Sequence, residues 1–133
     1  MWPARGRCCT SPAEDAQLLL GIVRRHLRAL ELGLDEAFPQ EDWGFTAQQM
    51  LEKILKAWSV LADQRPPHTQ ELDKLLPLAG VTIPPELLEL QVFAVEARYE
   101  EGPFPLPAAR TELLALLKGE LVRIERAISK ACG

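Results

Sequence analysis

The chain has 133 residues, a formal charge of −4, 47% hydrophobic and 26% charged residues; it suits one domain with a core and excludes a disordered chain. The acidic balance speaks against a general phosphate coat, which carries a basic excess. Apolar runs fall far short of the ~20 residues that span a bilayer, no secretory core follows the first residues, and Cys8, Cys9 and Cys132 make neither a disulfide framework nor a zinc pair, so the expected setting is reduced and cytoplasmic, with no membrane, metal or cofactor.

Residues 1–10 lack periodicity and are expected to form a flexible arm. Ser11-Pro12-Ala13-Glu14 has the form of a helix start, with Ser11 as cap, Pro12 in the first turn and Glu14 closing a capping box. Leu18, Leu19, Ile22, Val23, His26, Leu27, Leu30 and Leu34 then recur at helical steps, giving a first helix that ends near Ala37-Phe38-Pro39. A second helix is expected from Glu41 to Asp63. Its apolar stripe is Ala47, Met50, Leu51, Ile54, Trp58 and Leu61, with Gln48, Gln49, Glu52, Lys53 and Lys56 on other faces.

Arg65-Pro66-Pro67 breaks that helix. Thr69 is a suitable cap for a short third helix holding Leu72, Leu75 and Leu76, which Gly80 ends. A fourth helix begins at Pro84-Pro85 and carries Leu88, Val92, Val95 and Tyr99 on one side, stopping at Gly102-Pro103. The last runs from Pro107 to Ala131 on Leu113, Leu114, Leu117, Leu121, Ile124 and Ile128. No stretch alternates with period two. The expected fold is all-α, a four- to five-helix antiparallel up-down bundle forming one domain over 11–133.

Three stretches, in order, carry a family likeness. The run Trp43-Gly44-Phe45-Thr46-Ala47-Gln48-Gln49 through Ala57 resembles the "F-H-A-Q-Q-A-A-E-K-A-L-K-A" helix of HEPN domains. Arg65-Pro66-Pro67-His68-Thr69-Gln70-Glu71-Leu72 is similar to that family's "P-P-x-T-H-D-L" turn, and Ala94–Tyr99 to its "A-x-x-A-R-Y-P" signature. The resemblance covers roughly residues 18–127. It implies a helical homodimer that binds a nucleotide, or that partners a minimal nucleotidyltransferase in a toxin–antitoxin-like pair, with RNA ranked below these.

Some HEPN proteins are metal-independent ribonucleases marked by an arginine and a histidine with four to six residues between. This chain departs from them there. No arginine precedes His26 or His68 at that distance, Thr46 stands where the family has a histidine, and so does Gln70. Neither side chain exchanges protons near neutral pH as imidazole does, which argues against catalysis by that route. A ribonuclease with a variant site (His68 with Arg98) and a structural helical adaptor are the alternatives.

The candidate ligand-binding residues are Gln49, Lys53, Lys56, Arg98 and Tyr99. The two lysines and Gln49 form a polar strip that could meet phosphates or bases; equally, Glu52 and Lys56, four apart, could be an ordinary surface pair worth ~0.2–0.5 kcal/mol. Arg98 could grip phosphate and Tyr99 stack on a base, or the pair could stabilise a helix end and pack. No catalytic residue is assigned.

Overall fold

Helix α1 (Pro12–Leu32) begins as its residues dictate. The Glu14 amide donates to Ser11 Oγ, and the Ser11 amide donates to the Glu14 carboxylate, completing a capping box with Pro12 in the first turn. The computed structural model describes residues 11–132, except the side chains of Ala97 and Arg98; the arm expected over residues 1–10 lies outside the described residues. Gly33 caps α1, its amide donating to the carbonyls of Ala29 and Leu30. The helix thus stops several residues short of the expected Ala37-Phe38-Pro39. The reason is tertiary: the Arg110 guanidinium reaches back to the carbonyls of Gly33, Asp35 and Phe38, holding this stretch as a connection.

Helix α2 (Gln40–Leu61) returns along α1, and α6 (Arg110–Cys132) lies beside both. Trp43 meets Leu30 while Lys53 and Lys56 share a cleft with Leu19 and Ile22, so α1 and α2 are antiparallel. Ion pairs Arg24–Glu125 and Lys118–Glu31 make α1 and α6 antiparallel too. Between α2 and α6 the chain walks back along α2 in short pieces: α3 (Leu72–Ala79), α4 (Pro85–Leu88), a 3-10 turn (Glu89–Phe93) and α5 (Glu96–Tyr99). The contacts mark its path, Gln48 meeting Gln70, Gly44 meeting Phe93 and Gln40 meeting Phe104. The architecture is an all-α bundle whose third leg is broken, and among the described residues there is no strand.

α2 is the central helix. Met50, Leu51, Ile54 and Leu55 are fully buried against Leu20, Val23, Leu117 and Ile124, each such burial contributing roughly 1.5–3 kcal/mol. Because the return leg also covers α2, its polar Gln48, Glu52 and Ser59 are buried as well. Leu18, expected on the core stripe of α1, is instead 63% exposed, and its neighbour Leu20 takes the core position.

Two further expectations are corrected in the return leg. Thr69 does not cap α3; its hydroxyl accepts from the Glu71 amide in a local turn, and the helix-opening Leu72 amide donates to Gln91 Oε1 across the leg. The single fourth helix is three pieces. Its large buried side chains, Leu87, Leu90 and Phe93, are spaced by three, the period of a 3-10 turn, and Ala94 is buried beside the last of them. The α-helical series Leu88, Val92, Val95 and Tyr99, at steps of four, three and four, lies at the margin, with Val95 and Tyr99 exposed.

Candidate functional site

The polar strip of α2 is built around a carboxylate. Glu52 is almost wholly buried, and its Oε2 accepts from Lys56 Nζ at 2.7 Å and Lys53 Nζ at 2.8 Å. Its Oε1 is buried and meets no hydrogen-bond partner among the described residues. The expected surface pair Glu52–Lys56 is therefore part of a largely buried three-charge cluster, the lysine side chains keeping 23% and 15% of their surface at positions 53 and 56. With two ammonium groups on one carboxylate, the cluster carries a net positive charge.

Both lysines line a cleft of about 220 Å³. Leu19 and Ile22 of α1 supply its apolar wall, and Pro66, Pro67 and His68 close the opposite side. The turn that brings those three residues there starts at the end of α2. Asp63 takes a left-handed conformation (φ 59°), its amide donating to Val60 and that of Gln64 to Ser59, a Schellman-type ending that reverses the chain before the prolines.

His26 lies on the α1 side of this cluster, half-buried. Burial lowers its pKa first, and the charges of Lys53 and Arg25 lower it further, against a smaller upward pull from Glu52. The imidazole is held toward its neutral form. His68 thus lines the lysine cleft and His26 lies within electrostatic reach of Lys53, which their positions 42 residues apart did not reveal.

The candidate residues divide. Lys53 and Lys56 share the cleft. Gln49 is half-buried and donates to Gln48 Oε1, while Gln48 Nε2 donates to the Gln70 carbonyl. The first glutamine of the pair is therefore a strut between α2 and the turn, and the second leans on it. Tyr99 is 76% exposed on α5 and is not among the residues around the cleft; the expectation for the Arg98 side chain falls outside the described residues. Thr46, at the position of a familial histidine, donates back to the Asp42 carbonyl within its own helix.

Sequence reasoning missed Glu52, His26 and His68 as neighbours. The available signal was Gln48, Glu52, Leu55 and Ser59 at helical spacing, a second face of α2 with too few charges for open water. No group of three metal-ligating side chains occurs among the described residues, and no helix there is long and apolar enough to cross a membrane. Neither a family model, nor a curated protein, nor a solved structure matches the chain.

Proposed function

We propose that the protein is a HEPN-like binding module whose Lys53–Lys56 cleft takes a nucleoside monophosphate. One observation carries this reading: two lysines share one buried carboxylate and still line an accessible cleft with an apolar far wall. Partly desolvated ammonium groups attract phosphate more strongly than exposed ones, and the leucine, isoleucine and proline surfaces suit a sugar or base face. The cleft's ~220 Å³ is below the ~300–1,000 Å³ of sites that enclose drug-sized ligands. It suits a phosphate and sugar with the base at the mouth. The homodimer and the minimal nucleotidyltransferase partner of a toxin–antitoxin-like pair belong to the same proposal and rest on the three sequence motifs alone.

Isothermal titration of nucleoside 5′-monophosphates tests it. Lys53→Gln and Lys56→Gln should each weaken uptake about tenfold, as expected for losing one charge-assisted contact. Glu52→Gln removes the competing carboxylate and should hold or raise the affinity. A wild-type protein that takes up no nucleotide, or lysine variants that titrate unchanged, would sink the reading.

A ribonuclease reading is favoured by one observation, that His68 lines the same cleft and His26 feels the charge of Lys53. Imidazoles beside lysines are an acid–base set able to cleave a phosphodiester. It requires RNA cleavage by the purified protein that His68→Ala abolishes; intact RNA after incubation with folded wild type rejects it.

A further inference from the structure

The Lys53–Lys56 cleft is not the sole opening among the described residues. A groove of about 480 Å³ runs between α3 and the α4–α5 stretch, on the return leg. Leu76, Leu88 and Val95 form its apolar surface, and Glu71, Asp73 and Glu96 stand around it. No lysine, arginine or histidine is among its described lining residues. Glu71 pairs with Lys74 at 2.8 Å, but Asp73 and Glu96 enter no ion pair among the described residues.

The surrounding sequence extends the asymmetry beyond the groove's own three carboxylates, to Glu86, Glu89, Glu100 and Glu101. From Glu71 to Glu101 there are seven acidic residues against Lys74 and Arg98, a formal charge of −5 in a chain that totals −4, so the remainder carries +1. The negative charge of this protein is concentrated on one leg. We infer that this groove is a docking surface for a basic amphipathic helix of a partner protein.

The chemistry selects that occupant. An anionic rim repels phosphate, nucleic acid and anionic lipid. An added strand would need a sheet edge, and the described residues contain none. A helix with apolar residues at i, i+3 or i+4 and i+7 places them on Leu76, Leu88 and Val95, while flanking lysines or arginines meet Asp73 and Glu96. Val95 is 49% exposed, an apolar side chain left without cover at the groove. This inference does not depend on the nucleotide reading, because it uses a different face and the opposite charge.

The test uses the full chain and a fluorescein-labelled peptide of leucine and lysine in that helical pattern, followed by fluorescence anisotropy. Wild type should bind it saturably, and binding should weaken as salt rises, because screening acts on the rim charges. The double variant Asp73→Asn/Glu96→Gln should lose about tenfold in affinity through its charge, and Val95→Ser a comparable amount through its lost apolar contact. All three positions are exposed, so circular dichroism should show unchanged folding. A peptide with glutamate for lysine should not bind, and Lys53→Gln should leave binding of the lysine peptide intact. The inference is overturned if wild type ignores the lysine peptide, if both groove variants bind it as wild type does, or if the glutamate peptide binds equally.

Discussion

The start and the middle of α2 treat buried polarity in opposite ways. At its start, Arg110 donates to the carbonyls of Gly33, Asp35 and Phe38 at 2.6–2.8 Å, and Trp43 Nε1 donates to the Leu30 carbonyl from within the core. Donors and acceptors there consume one another. Three turns further on, Glu52 gathers two lysines on one oxygen and leaves the other without a hydrogen-bond partner among the described residues, while the ammonium groups still border open space. The first junction spends its hydrogen-bonding capacity on holding the chain. The second keeps charge in reserve, which is the property a ligand site needs and a structural staple lacks.

That contrast can be broken most sharply at Glu52. Glu52→Ala leaves two ammonium groups crowded and half-desolvated, and should cost about 3–5 kcal/mol in urea unfolding. A loss below ~0.5 kcal/mol would return the cluster to an ordinary surface pair. Arg110→Ala should cost about 1–3 kcal/mol by freeing three carbonyls, yet leave nucleotide uptake unchanged. If uptake falls with it, the two junctions are not separate devices.

Between them lies Gly44, where an added Cβ would come within 2.6–2.8 Å of the buried Phe93 ring. Gly44→Ala should destabilise by about 1–2 kcal/mol, overpacking outweighing the helix-propensity gain. Gly21→Ala meets nothing within 4 Å among the described residues and should instead stabilise by up to ~1 kcal/mol. Thermal melts of the pair should move in opposite directions.

The smallest effect is a pH dependence. The folded protein lowers the His26 pKa from 6.5, so the unfolded chain binds the proton more readily. Stability is then complete above about 6.5 and declines as pH falls through the folded value. His26→Gln should flatten that decline in urea titrations; an unchanged slope would mean the imidazole is not coupled to the cluster.

The three long helices were legible because their stripes recur at helical spacing, and because the Ser11 box and Gly80 are local signals whose partners lie within a few residues. The end of α1 was not, since Arg110 enforces it from 77 residues away. The start of α3 was hidden for the same reason, its first amide being satisfied by Gln91 rather than by a neighbouring cap. In the return leg both a strict three-step series and a mixed three- and four-step apolar series were present, and expecting an α-helix selected the wrong one. Of the candidate site, Lys53 and Lys56 were visible as a strip. The burial of Glu52 was not, because it is imposed by a third layer over α2.

The bond from the Leu72 amide to Gln91 has a consequence for how the molecule breathes. Pieces of four and five residues cannot sustain themselves in water, so α4, the 3-10 turn and α5 borrow their persistence from α2 and, through Gln91, from α3. In native-state hydrogen exchange the amides from α3 through α5 should therefore lose protection together, at a lower free energy than those of α1, α2 and α6. Gln91→Ala should release α3 first, turning one opening event into two.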